Sequence, residues 1–183
     1  AWHTCYNLLE SLTKPHNNLG GSKVKKIDSF TVNHLKLLKG VYVSRVDTVG
    51  NESVTTYDIR MKAPNKEEVM DTATVHTIEH IGATYLRNDE KYADKVIYFG
   101  PMGCRTGFYL ILKGNETSKS VALGVVKNMF EYIRKYVGKI PGADPRSCGN
   151  YTDMDLSQAK LEAEKYISEV LNNSTDANFN YPK

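Results

Sequence analysis

Cysteine, tryptophan and proline are scarce in this chain: three, one and six among 183 residues. Cys5, Cys104 and Cys148 are odd in number and far apart, which argues against a disulfide framework and leaves thiols available for metal binding or chemistry. Long apolar runs are missing too. Nothing approaches the roughly 20 residues of a membrane-spanning helix, and the N-terminal stretch lacks the basic-then-apolar order of a signal peptide. A cytoplasmic protein with no membrane partner is expected. No basic block is interleaved with aromatics; the net charge of +3 comes from scattered residues, which speaks against nucleic acid and for a small-molecule or protein partner.

What is present fits one soluble domain. Apolar residues make up 40% and charged residues 25%, enough for a hydrophobic core at this length. Residues 1–25 show no clear period and read as a loosely ordered extension or an appended remnant. The alternation in VYVSRVDTV (41–49) and TTYDIRM (55–61) predicts two antiparallel strands around a Gly50-Asn51 turn. From about Thr74 to Asn88 the spacing becomes helical, with Val75, Ile78, Gly82, Tyr85 and Leu86 on one face. KVIYF (95–99) and GFYLILK (107–113) read as central strands, joined by the turn-rich GPMGCRT that carries Cys104. Residues 118–137, with Val121, Val125, Met129, Ile133 and Tyr136, and 156–171 read as amphipathic helices against the sheet. The loop between them, GKIPGADPRSCGNYTDMD, is long enough to suggest function. The expected class is α+β, an antiparallel or mixed β-sheet packed against α-helices in a single domain, with a tail over 173–183.

The chemistry gathers in VHTIEHIGATYLRN (75–88). Side chains at i and i+4 share a helix face with Cβ atoms about 6 Å apart, so His76 and His80 can hold one ion. Glu79 stands beside them as a base or a partner of the ligands. Cys148, a lone thiol in a glycine-flanked loop, is the best third ligand; two imidazoles and a thiolate leave a fourth position open, as catalytic sites do. Ligand type does not choose among Zn²⁺, Fe²⁺ and Co²⁺. Cys104, between Gly103 and Arg105, has backbone room for a ligand and a cation that favours thiolate, and reads as reactive. The pattern H-x-x-E-H also belongs to inverted zinc peptidases. A non-enzymatic, zinc-stabilised interaction module is the other alternative. The peptidase reading wants a carboxylate third ligand and leaves Cys104 idle, and the module wants a fourth ligand and needs neither Glu79 nor Cys104.

HTIEH followed by GATYLRN, then GPMGCRTGFYL and CGNY, together with DSFTVNH (28–34) and YDIR (57–60), closely resembles the S-ribosylhomocysteine lyases, the LuxS family of autoinducer-2 synthases. The resemblance runs in order over about 26–172 and marks that stretch as the catalytic domain. It implies a divalent metal, one per subunit, held by His76, His80 and Cys148, with Fe²⁺ as native ion and Zn²⁺ or Co²⁺ as replacements. It implies Glu79 and Cys104 as the acid/base pair, cleaving the thioether of S-ribosylhomocysteine to homocysteine and 4,5-dihydroxy-2,3-pentanedione, the autoinducer-2 precursor. Also implied are a homodimer with active sites at the interface, ribose contacts from Ser29, His34 and Arg60, and a hold by Arg87 on the amino-acid end. One departure stands out. Many members have an acidic residue at the position of Tyr98 and a serine at that of Gly100; either Tyr98 reaches the amino-acid end with its hydroxyl or another group compensates.

Overall fold

The alternation that begins at Val41 becomes the hairpin of strands β1 (Gly40–Val49) and β2 (Glu52–Arg60). Gly50 takes φ +62° at the first position of its two-residue turn, where glycine is favoured because strand twist demands positive φ. In this computed structural model, residue 27 and residues 30–114 and 119–182 are described. The chain divides into two compact units, Ala1–Thr31 and Val32–Lys183. In the first, the Phe30 amide donates to the Ile27 carbonyl at 2.9 Å. The extension over 1–25, and Ser29, lie outside the described residues.

In the second unit, β3 (Val96–Pro101) and β4 (Gly107–Lys113) complete one antiparallel sheet of order β1-β2-β4-β3. β4 is central, as its apolar run predicts. β3 is instead an edge strand. Its register slips between Val96 and Tyr98, so the two-residue alternation breaks and both Ile97 and Tyr98 are exposed. A hydrophobic run at this edge therefore does not report burial on both faces.

Among the described residues, three helices cover one sheet face. Helix α1 (Thr72–Asn88) starts where the Asp71 carboxylate accepts the Thr74 amide at 2.7 Å, satisfying an otherwise unpaired N–H. Its buried side carries Val75, Ile78, Gly82 and Leu86 as the spacing predicts, with Thr74, Thr77 and Ile81 added; Tyr85 is only half-buried. Gly82 permits a close approach: a Cβ there would sit 2.7 Å from Phe99 Cε1 on β3 and 3.1 Å from Met129 Sδ. Helix α2 (Lys119–Lys135) buries Val125, Val126, Met129, Phe130 and Ile133. Tyr136 follows the helix, and the side chain of Val121 is outside the described set. Helix α3 (Leu156–Tyr166) is capped by Asp155 and runs into a π-helical turn, Ile167–Leu171, in which the Asn172 amide reaches the Ile167 carbonyl. That widened turn keeps Ile167, Val170 and Leu171 buried with Tyr166. The core fills the space between these helices and the row Val41, Tyr57, Ile59, Phe108 and Leu110. A polar row, Tyr42, Asp58 and Tyr109 on adjacent strands, alternates onto the opposite face. There the C-terminal segment folds back: the Tyr181 ring stacks on Tyr42 at 4.8 Å, and Asn178 Nδ2 donates to the Lys39 carbonyl.

Candidate functional site

Helix periodicity sets His76 and His80 one turn apart, and the long loop between α2 and α3 comes to meet them. The ligand-capable atoms of His76, His80 and Cys148 all lie within 4.8 Å of one another. Cys148 Sγ is 3.4 Å from His76 Nε2, and the two rings stand edge to face at 83°. Each ring is oriented by the same loop. His76 Nδ1 is 3.0 Å from the Asp153 carbonyl and His80 Nδ1 is 2.7 Å from the Pro141 carbonyl. A carbonyl can only accept, so both Nδ1 atoms carry a proton, and Nε2 is the atom that each ring has left to turn toward a cation. Gly142, at φ +67°, brings the loop backbone against His80. Asp144 folds the loop around the thiol: its carbonyl accepts the Cys148 amide, and its carboxylate accepts from Ser147 and Arg146, which holds it below the usual carboxylate range. Thr77 ties the far end of the loop to α1 by accepting the Asp155 amide at 2.9 Å.

Among the described residues, two imidazoles and one thiol form a donor set of the borderline-soft type that suits Zn²⁺ or Fe²⁺, three ligand groups that leave room for a further one. Glu79, half-buried on α1, lies on the same side of the helix as both histidines.

A second group forms at the β3-β4 turn. Arg105 takes φ +58°, a conformation that costs a non-glycine residue about 1–3 kcal/mol. The strained turn is over-determined by backbone bonds: Thr106 O accepts from Met61 and Lys62, Arg105 O from Met70, and Met102 O from Arg105. Through Met70 the turn is tied to the segment that enters α1. Cys104 sits on this turn with its residue exposed and its sulfur crowded by Thr106 and Arg60. Arg60 Nη1 donates to Thr106 Oγ1 at 2.5 Å, so the threonine proton is free to point at Cys104 Sγ, 3.1 Å away. Arg60 Nη1 itself is 3.9 Å from that sulfur. Desolvation pushes the thiol up, but the Thr106 hydrogen bonds and the Arg60 charge outweigh it, and Cys104 titrates below the ordinary thiol range.

The remaining sequence candidates are distributed. Arg60 is buried and bound bidentately to Asp58, with Nη2 to Oδ2 at 2.6 Å and Nε to Oδ1 at 3.1 Å. Arg87 reaches from α1 to β3, where the guanidinium donates to the carbonyls of Val96 and Ile97; Tyr98, next in the strand, is exposed. A side chain at Gly100 would overlap the Tyr98 hydroxyl, so tyrosine at 98 and glycine at 100 fit one another. His34 precedes β1 and its Nδ1 donates to the Val32 carbonyl at 2.9 Å; among the described residues no hydrogen bond joins it to either group. Thr106 and Asp58 were not among the sequence candidates. Asp58 alternates onto the same face as Arg60, a signal that was available in YDIR. The carbonyls of Pro141 and Asp153 carry no side-chain signature.

The family profile described as S-Ribosylhomocysteinase (LuxS) matches residues 27–177. Among curated relatives, an S-ribosylhomocysteine lyase of Finegoldia magna is 55% identical over 160 residues, covering 87% of this chain and all of the relative. One of Clostridium acetobutylicum is 54% identical with the same coverage. One of Borreliella afzelii is 52% identical over 159 residues, again 87% of this chain and all of the relative.

Proposed function

The chain belongs to the S-ribosylhomocysteinase (LuxS) family, and from that premise we propose that it is a metal-dependent carbon-sulfur lyase. It cleaves the thioether of S-ribosylhomocysteine to homocysteine and 4,5-dihydroxy-2,3-pentanedione, the precursor of autoinducer-2. The observation that carries the metal dependence is the convergence of His76, His80 and Cys148 with both Nδ1 atoms engaged by carbonyls.

His76, His80 and Cys148 would hold one divalent ion per subunit, with Fe²⁺ as the native ion and Zn²⁺ or Co²⁺ as substitutes. When bound, the ion supplies Lewis-acid polarisation of the sugar oxygens. The proton work falls to Glu79 and Cys104. Proton transfers between neighbouring carbons move the carbonyl from C1 to C2 and then to C3. Removal of the C4 proton then expels the homocysteine sulfur from C5, which takes up a proton. A carrier in this sequence must both accept and return protons near neutral pH. The lowered thiol of Cys104 suits that demand, and Glu79 stands on the side of α1 that carries both histidines.

Ser29, His34 and Arg60 are assigned to the ribose, and Arg87 with Tyr98 to the amino-acid end. Support for the last pair is that Arg87, on α1, is anchored to the Val96 and Ile97 carbonyls of the strand that carries Tyr98, and retains further N–H groups after serving them. The working unit is a homodimer in the cytoplasm, with residues of one subunit completing the site of the other; the exposure of Val46 and Val49 on β1 suits a subunit contact. A peptidase or a structural zinc module leaves the Cys104 turn without a role.

The test is thiol release from S-ribosylhomocysteine under anaerobic conditions by Fe²⁺- or Co²⁺-loaded protein. Turnover that disappears in Cys104→Ala supports the reading; a fully metallated protein that releases no thiol would overturn it.

A further inference from the structure

Asp58 and Arg60 form an ion pair with side chains only 2% and 4% exposed, and a pair so desolvated must have its remaining hydrogen-bonding capacity filled. The guanidinium uses four of its five N–H groups here: Nε and Nη2 grip the two carboxylate oxygens, and Nη1 turns away to Thr106 and Cys104. The third hydrogen bond to the carboxylate arrives from 123 residues away. Tyr181 Oη donates to Asp58 Oδ2 at 2.9 Å, the same oxygen that receives Arg60 Nη2 at 2.6 Å. Its ring is fixed by stacking on Tyr42, whose own hydroxyl donates to the Leu38 carbonyl at 2.9 Å. Tyr181 lies beyond the segment that the family profile matches.

We infer that Tyr181 is a positioning residue for the Cys104 thiol, acting through Asp58 and Arg60. A phenol that shares Oδ2 takes up part of the carboxylate's charge, so less of it neutralises the guanidinium. More of the Arg60 charge is then presented at Nη1, on the side of Thr106 and Cys104. Without the hydroxyl, Asp58 draws the guanidinium toward itself, and the hold on Thr106 Oγ1 slackens. The thiolate loses both a nearby cation and an oriented hydroxyl donor. The titratable groups that face the pair are Tyr42 on β1, Tyr109 on β4, Tyr166 on α3, Tyr181 in the tail and Cys104 in the turn. The four tyrosines all titrate above the ordinary phenol range, burial being the leading cause with the Asp58 charge behind it. They stay neutral where the thiol titrates, which leaves Asp58, Arg60 and Cys104 as the charges that matter.

The bearing on turnover rests on Cys104 being a proton carrier, but the thiol itself can be read without any substrate. The experiment is the pH dependence of iodoacetamide alkylation on the full, metal-loaded chain, followed at Cys104 by peptide mass so that Cys5 and Cys148 do not contribute. The variants are Tyr181→Phe, which keeps the stacked ring, and Tyr181→Ala. The expected result is a midpoint raised by about half a unit in Tyr181→Phe and by at least as much in Tyr181→Ala, equivalent to about a threefold loss of alkylation rate below the midpoint. In the lyase assay kcat should fall by a similar factor at neutral pH with KM unchanged. Midpoints that coincide with the unsubstituted protein in both variants would overturn the inference. So would a shift confined to Tyr181→Ala, because the effect would then lie in packing. If thiol release fails altogether while the alkylation midpoint moves, the lyase reading falls and the role of Tyr181 stands.

Discussion

His80 Nδ1 lies 3.3 Å from the point where a Cβ on Gly142 would be, so a side chain next to the carbonyl that orients this histidine would press on its ring. Gly142→Ala would meet the histidine ring and also occupy a left-handed backbone, at about 1–2 kcal/mol for the conformation alone. Disturbing a partner that orients a ligating histidine typically weakens metal affinity by about 10- to 100-fold. A chelator competition titration on Gly142→Ala should give a loss in that range, with the far-ultraviolet circular dichroism preserved.

Thr106→Val keeps the shape of the turn and removes the hydroxyl that stands between Arg60 and Cys104. The thiol should become less acidic, because a donor to the thiolate is lost while desolvation stays. Sulfur ionisation followed by ultraviolet absorbance, with Cys104→Ser subtracted, should show a higher midpoint in Thr106→Val and a normal one in Thr106→Ser. Equal midpoints in all three proteins would remove Thr106 from the account.

Glu79→Gln should retain the metal, since the carboxylate is not among the three converging ligand groups. It should lose at least about 100-fold in kcat, the usual scale of a proton carrier. Metal content by elemental analysis and turnover on the same sample separate the two effects; loss of metal in step with activity would assign Glu79 to the ligand set instead.

Gly82→Ala sets two effects against each other. Alanine favours a helix over glycine by about 1 kcal/mol, but its methyl would stand 2.7 Å from Phe99 Cε1 with Met129 Sδ close behind. Overpacking a core commonly costs about 1–3 kcal/mol, so net destabilisation is expected. A lowered urea midpoint with unchanged slope checks this, and a raised midpoint would mean that the Phe99 ring yields freely.

At β3 the expected outcome concerns a pair. Gly100→Ser alone should cost what it takes to swing the exposed Tyr98 ring aside, whereas Tyr98→Asp combined with Gly100→Ser should remove that cost. The non-additivity is read from a double-mutant cycle of thermal midpoints. For substrate, KM should rise in Tyr98→Phe and Tyr98→Ala; an unchanged value in both would count against any contact at this position.

Much of the metal group was legible because helices translate spacing into proximity. His76, Glu79 and His80 need only a turn of α1 to share a side, and the Cys148 thiol stood out by its rarity. The sheet was legible wherever alternation held. It misled at β3, where one slip in register put Ile97 and Tyr98 outside together. What stayed hidden were relationships set by tertiary register. Asp58 and Arg60 are two residues apart in any strand, but only the closure of the β3-β4 turn brings Thr106 and Cys104 to the guanidinium. Tyr181 reaches Asp58 only because the end of the chain folds back over Tyr42. Backbone acceptors such as Pro141 O are invisible to any reading of side chains.

The order in which the ligand-bearing segments occur along the polypeptide has a consequence for biosynthesis. Helix α1 with its two histidines leaves the ribosome first, but the thiol and both orienting carbonyls belong to residues 141–153. A nascent chain therefore carries an incomplete claw for the time needed to translate some seventy further codons, about 4–14 s at ordinary elongation rates. On the proposed reading, an ion held by all three groups could be captured only after the segments of the sheet and first helix have been synthesised.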